Sequence, residues 1–293
     1  MTGVWLVLGV LSSNALAFVD PRCEEVASAG PPADYNEQAQ QDYLQNYFAL
    51  SSTFSSVHGP VPHEAGHGSF GLDLGILPPL PCSRRLVLNY SKTEDTNKSP
   101  LIPKPRVTYA FPAVGRMVPY AGFAYVPPIR FAGVTNVILS GEIGLGFQLG
   151  ETFQLGGRFH ATSHKTVGEI ATPFVEGDPP SDDMFIASTL GLDALVGVDL
   201  DGIVPYLSLG LTDASTFFYI GDDGLVVNNF HPYFGPVGAA GLDALVSERL
   251  RLSGEVYAAP GGYSLPDKTI ESVTPSARYG RLYTGRLRIA YEL

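Results

Sequence analysis

The stretch His63-Glu64-Ala65-Gly66-His67 carries the side chains of zinc-dependent proteolysis at the right spacing. Two imidazoles would hold the metal and a carboxylate would work on its bound water. That chemistry needs a helix, which puts both imidazoles on one face. Gly59, Pro60 and Pro62 precede the stretch, and Gly66 and Gly68 interrupt it, so a helix is not expected there. No third ligand follows at a matching distance. His58, His63 and His67 could gather an adventitious ion at a surface; no resident metal or cofactor is expected.

A second stretch, His160-Ala161-Thr162-Ser163-His164, sets a hydroxyl nucleophile beside a base. Successive side chains of a strand point to opposite faces, so Ser163 and His164 cannot form a nucleophile–base pair. His160 and Thr162 share a face, but spacing places no carboxylate with them. The chain is not expected to be an enzyme. Lys92–Lys98 reads as a solvated loop. Asp178, Asp182 and Asp183, with Asp222 and Asp223 in another loop, miss the spacing of a calcium site and read as surface charge.

A larger set of ionisable residues shares one face of alternating strands: Glu142, Arg158, His160, Asp193, Asp199, Arg251, Glu255, Arg286, Arg288 and Glu292. Charges of both signs facing one interior are intolerable in a dry core unless paired. In a wet interior they need no special device. They would either fill and rigidify the interior as salt-bridge ladders or form a polar constriction that selects solutes.

The elements that must position these residues are strands. In Val137–Leu149 the residues Val137, Leu139, Ile143, Leu145 and Phe147 alternate with Ser140, Glu142, Gly144 and Gly146. After Gly150-Glu151 the pattern resumes with Phe153, Leu155 and Phe159 against Gln154, Arg158 and His160, a long hairpin with one apolar face. Leu190–Leu200 and Ile203–Thr212 repeat the arrangement around Asp201-Gly202. The hexapeptide GLDALV stands at 191–196 and again at 241–246, each time before a short turn, and reads as a repeated hairpin leg. Leu139, Ile143, Leu145, Phe147, Leu192, Val196, Leu209, Leu252, Ile289 and Tyr291 are expected on the apolar side.

Composition fits this reading. The chain is 45% apolar, yet after residue 17 it has no apolar run near the ~18 residues of a spanning helix. Only 16% of residues are charged, against roughly 25% in soluble domains. Lipid-facing strands or a soluble β-sandwich would both look like this. The net charge of -11 argues against nucleic acid and against docking on anionic lipid. Connections 77–83, 112–117, 149–151, 200–202 and 247–249 are short, and they alternate with longer polar ones at 92–104, 127–132, 165–183, 220–231 and 260–280. A sandwich has no reason to sort its loops by parity, whereas a transmembrane barrel does. Eleven strands are expected from residue 68 and one more within 47–58, about twelve in all, within a range of ten to fourteen. Residues 43–54 remain open: Tyr43, Leu44, Tyr47 and Phe48 fit a helix, and Phe48, Leu50, Ser52 and Phe54 fit a strand.

The terminal run Arg286-Leu287-Arg288-Ile289-Ala290-Tyr291-Glu292-Leu293 alternates to its last residue. It resembles the closing strand of bacterial outer-membrane β-barrels, although that class usually ends in Phe. The resemblance covers roughly residues 68–293. It implies an all-β, antiparallel, up-and-down transmembrane barrel in the bacterial outer membrane, in contact with lipid and read by the barrel assembly machinery at its last strand. Residues 1–17 read as a secretory signal peptide, 18–46 as an N-terminal periplasmic or lumen-plugging segment, and 47–293 as the barrel. In an exported chain two cysteines suggest one disulfide, Cys23–Cys82, the alternative being two thiols. Loop parity puts the 77–83 turn, and the tether with it, on the periplasmic side. The expected function is passive passage of a small solute. The alternatives are a structural barrel with a filled lumen, or uptake of a hydrophobic molecule by analogy with the long-chain fatty-acid channels, whose N-terminal segment plugs the barrel. A lipid hydrolase ranks last.

Overall fold

The computed structural model describes residues 19–33, 35–94, 100–131, 133–171, 173, 177–221, 224–261 and 281–293. The signal-peptide reading of residues 1–17, and the residues Asp222 and Asp223, lie outside them. Ten antiparallel strands form one wall: β1 (Gly68–Ile76), β2 (Leu101–Ala110), β3 (Met117–Phe131), β4 (Val134–Leu149), β5 (Phe153–Gly168), β6 (Asp183–Val198), β7 (Ile203–Ile220), β8 (Tyr233–Leu245), β9 (Leu250–Ala259) and β10 (Leu282–Glu292). Each pairs with the next, and β10 pairs back onto β1 from Ser69↔Glu292 to Ile76↔Gly285, so the sheet closes without an edge. A three-residue strand, Leu225–Val227, extends β7 outside the ring.

The two-residue period decides which way each side chain points. On β6, Leu190 and Leu192 are exposed while Thr189, Gly191 and Asp193 are buried. The same holds around the wall: Leu72, Val107, Phe123, Leu139, Ile143, Leu145, Leu209, Leu252 and Ile289 are large, apolar and exposed. No described helix is long and apolar enough to cross a membrane; the outward strand faces carry the apolar surface instead. Inward glycines make room for inward rings. A Cβ at Gly144 would lie 2.3 Å from the Tyr120 ring, and one at Gly241 would lie 2.5 Å from that of Tyr206.

Two expected strands are absent, so the ring holds ten strands instead of twelve. Residues 84–91 alternate in sequence, but Leu88, Asn89 and Tyr90 take left-handed backbone (φ 51°, 55° and 67°), which ends a strand. They fold instead as a small hairpin pairing Leu86–Val87 with Lys92–Thr93. Upstream, α1 (Glu24–Ser28) is followed by α2 (Glu37–Ser51). The Asn36 side chain caps α2 by accepting the Ala39 N–H at 2.9 Å. At its end the Ser51 and Ser52 hydroxyls donate to the Phe48 and Ala49 carbonyls at 2.6 and 2.8 Å, satisfying acceptors that the helix leaves open. Helix α2 sits inside one end of the barrel, where Tyr43, Leu44, Tyr47, Ala49 and Leu50 pack with Phe185, Ala187, Ala214, Tyr233, Tyr257 and Leu282.

Losing the expected strand at 84–91 also moves the loops. Residues 77–100 form one long connection on the same end as 169–182, 221–232 and 260–281. The short turns 111–116, 150–152, 199–202 and 246–249 share the other end with the last residues of β10. The 77–83 segment therefore belongs to the long-loop end, opposite to the expectation, and residues 127–131 are part of β3 where a long loop is expected. Cys23 and Cys82 are bonded there, with Cα atoms 5.4 Å apart.

Candidate functional site

The lumen is occupied by the chain itself. From α2 at the long-loop end, residues 52–63 run down the barrel and reach β1 at the short-turn end. An extended segment with no sheet partner leaves its backbone N–H and C=O groups to be satisfied by side chains. The wall charges do this in order of sign. Lys104 donates to the Ser52 carbonyl (3.3 Å), Arg286 to Thr53 (2.9 Å), Arg158 to Phe54 (2.9 Å) and Arg106 to Ser55 (3.1 Å). Further down, the Glu255 carboxylate accepts the Val57 N–H (3.1 Å) and that of Asp243 accepts the Gly59 N–H (3.2 Å). Gly59 passes so close to Val204 that a Cβ there would come within 2.9 Å.

The same charges also pair with one another. Glu142 holds Arg106, Arg158 (2.8 Å) and His58 (3.2 Å). Arg158 also meets Asp193 (2.6 Å), Arg106 meets Asp73 (3.0 Å), and Arg251 bridges Asp243 (2.9 Å) and Glu292 (2.8 Å). His160 lies 3.4 Å from Asp193. Arg286 stacks on the Tyr257 ring and Arg288 donates to Ser69 and Thr108. Asp199 is in a turn, where it accepts the Gly202 N–H, and is not on the lumen wall proper. Lys104, Arg106, Arg158, Arg251, Arg286 and Arg288 face Asp73, Glu142, Asp193, Asp243, Glu255 and Glu292, six charges of each sign. Four of these twelve, Asp73, Lys104, Arg106 and Asp243, do not stand out in the sequence. Asp243 has a signal there: it occupies the third place of the second GLDALV, as Asp193 does in the first.

The histidines do not converge. His58 lies against Glu142. His63 is buried, between Glu292 (3.1 Å) and Ser69 (2.9 Å). His67 is half exposed beside Glu64. Residues 63–67 form a turn, and no described group of side chains could hold a metal ion. Ser69, His63 and Glu292 have the hydrogen-bond order of a nucleophile, base and acid, but Ser69 is fully buried, with Arg288 on its hydroxyl. Ser163 faces outward, away from His160 and His164. Asp183 is buried and accepts the N–H groups of Ile170, Ala171 and Gly221.

A second feature lies at the long-loop end, beside α2. There a cavity of about 650 Å³, a size usual for small-molecule sites, is walled mainly by Leu44, Phe48, Leu74, Ile102, Val126, Ile138, Phe185 and Phe218. Its outer side meets an interruption of the sheet. Strands β2 and β3 pair only from Arg106↔Ala124 to Ala110↔Tyr120, although β2 begins at Leu101 and β3 runs on to Phe131. Residues 101–105 pair with β1 alone and the upper part of β3 with β4 alone. Prolines flank the gap on both sides: Pro103 and Pro105 on β2, and Pro127-Pro128 at the register shift of β3. Lacking an N–H, they cannot donate across it. Leu101, Ile102 and Pro103 on one lip, and Val126 and Ile129 on the other, line the cavity. Sequence reasoning missed this site, although four prolines in two facing strands mark it.

No family model and no curated relative matches the chain. Among solved structures, the translocator domain of the autotransporter NalP from Neisseria meningitidis shares 13% identity, with 96% of this chain and 99% of that one covered, at a TM-score of 0.44. An outer membrane channel from Pseudomonas putida F1 shares 10% identity over 80% and 97%, at 0.38. The Pseudomonas putida toluene transporter TodX shares 12% over 89% and 77%, at 0.33. At these scores the likenesses carry no argument, and the barrel stands on its own strand pairing.

Proposed function

We propose that this outer-membrane-type β-barrel binds and takes up small apolar molecules at its long-loop end, instead of passing hydrated solutes through its lumen. Short turns and the C-terminal strand end face the periplasm in bacterial barrels, so the cavity, helix α2 and the disulfide face outward. The observation that carries the reading is the cavity itself: it is apolar, of ligand size, and open toward the unpaired β2–β3 seam. The seam gives an apolar molecule a side route to surrounding lipid. The direct route for a polar solute is filled by residues 52–63.

A second reading, a structural barrel, is supported by the balanced ion pairs that fix the plug. Uptake separates the two. Cells carrying the protein should accumulate a radiolabelled ten-carbon hydrocarbon faster than cells lacking it. Ile138→Trp, which fills the cavity, should abolish the gain, and proteoliposomes should not swell in a disaccharide. Equal hydrocarbon uptake with and without the protein overturns the proposal, as does rapid swelling.

A further inference from the structure

The N-terminal segment runs from one end of the barrel to the other and is fixed at both. At the long-loop end Cys23 is bonded to Cys82, Asp20 meets Arg85 at 3.2 Å, and the Asp20 N–H donates to Thr93 Oγ1 at 3.2 Å. Helix α2 adds Gln40, which donates to the Ser83 carbonyl (3.3 Å), and Asp42, which accepts the Phe230 N–H (3.1 Å). Asn46 donates to the His231 carbonyl at 2.8 Å. All these partners lie in the connections 77–100 and 221–232. At the short-turn end His63 is held by Ser69 and Glu292. The chain ahead of α2 is therefore at the end that faces away from the periplasm, with Glu24, Glu25, Pro32 and Ala33 exposed.

The lumen grips the crossing stretch largely by its main chain. Lys104, Arg286, Arg158 and Arg106 each donate to a backbone carbonyl of Ser52–Ser55, and Glu255 and Asp243 each accept a backbone N–H, from Val57 and Gly59. Every residue of an extended chain has such a carbonyl, and every residue but proline such an N–H, so these contacts do not depend on side-chain identity. They replace the water that a polypeptide loses on entering a membrane. The protein is made inside the cell, yet residues 19–33 lie at the outward end. Lipid gives bare backbone no route, and the lumen is the polar one. We infer that the barrel carries its own N-terminal segment through the lumen as an extended chain and displays residues 19–33 on the cell surface. The Cys23–Cys82 bond then stops the displayed segment from slipping back.

This inference shares with the uptake reading only the orientation of the barrel, and epitope mapping on cells tests it. A short epitope is inserted in separate full-length variants after Pro32, after Asp178 in a long connection, and after Asp201 in a short turn. A fourth variant carries it on a Gly/Ser segment between Val19 and Asp20. Antibody binding is measured on intact cells in which a periplasmic marker stays unlabelled, then after permeabilisation, for variants that keep the heat-modifiable gel shift. The epitopes at Pro32, Val19–Asp20 and Asp178 should reach their full signal on intact cells, and the one at Asp201 only after permeabilisation. If insertion at Pro32 prevents folding, the Val19–Asp20 variant suffices. Asp178 labelled on intact cells with both N-terminal epitopes silent overturns the inference and leaves the uptake reading standing. Silence of the Gly/Ser variant alone overturns a path indifferent to sequence. Asp201 labelled on intact cells and Asp178 silent reverses the barrel and overturns both this inference and the outward-facing cavity.

Discussion

Replacing Glu142 by Gln keeps the shape of the side chain and removes one lumenal negative charge. Its Oε2 accepts from Arg158 Nη1 at 2.8 Å, and its Oε1 accepts from Arg106 and lies 3.2 Å from His58 Nε2. In the variant an amide NH₂ faces at least one guanidinium donor, and six cations meet five carboxylates. Breaking a buried pair from one side costs about 3–5 kcal/mol. Arg106 keeps Asp73 and the Ser55 carbonyl, and Arg158 keeps Asp193 and the Phe54 carbonyl. The lower end of that range, about 3 kcal/mol, is therefore expected. Urea titration of the purified barrel, followed by the heat-modifiable gel shift, reads it as a lower midpoint at unchanged slope. His58 docks on the same carboxylate, so proteolysis within residues 52–63 should quicken in parallel. A loss below about 1 kcal/mol would refute the reasoning, because lumenal water would then be replacing the carboxylate at no cost.

Further outcomes follow from the wall and the cap. Leu145→Arg puts a charge on the exposed apolar face of β4 and should cost about 2–4 kcal/mol in a bilayer; stability equal to wild type would show that this face does not meet lipid. Deleting Tyr291–Leu293 removes the Leu293 N–H bond to the Gly68 carbonyl and the Glu292 bridge to Arg251, and the protein should fail to reach the outer membrane as a heat-modifiable barrel. Reducing Cys23–Cys82 opens a loop of 59 residues and should lower stability by at most about 4 kcal/mol, read from the same urea titration with and without reductant. Arg22, and then Arg85, hold the Asp20 carboxyl well below the usual carboxylate range. The contribution of Asp20 is thus present above its unfolded value of about 4 and lost as pH falls through the depressed folded value. Reduction of the disulfide by a phosphine should therefore quicken only once the pH has fallen well below the usual carboxylate range, and quickening already at the usual carboxylate value would count against that anchor.

The closed antiparallel barrel is legible in the sequence because a two-residue period survives whatever surrounds a strand. Val137–Leu149 and Leu190–Leu200 show it without help from tertiary structure. Strand number is not legible at 84–91, where alternation is present but the fold is set from outside: the Glu37 carboxylate on α2 accepts both the Leu88 and the Asn89 N–H at 2.9 Å. Residues 43–54 suit helix and strand alike, and the Asn36 cap together with packing against Phe185 and Tyr233 decides for helix. Mixed charges on one face point to a polar interior. Their use as ligands for a threaded backbone depends on strands far apart in sequence, β2, β5, β8, β9 and β10 among them, which no local pattern brings together. The cavity depends on the same long-range closure, and only the prolines of its seam stand out in the chain.

Conductance of the purified wild-type barrel in a planar lipid bilayer tests the central claim most directly. With residues 52–63 held by Lys104, Arg158, Glu255 and Asp243, no steady ionic current should flow across many insertions at moderate voltage. Stable, ohmic, porin-sized steps from the wild-type protein would contradict it, because they require a water-filled path where the plug lies.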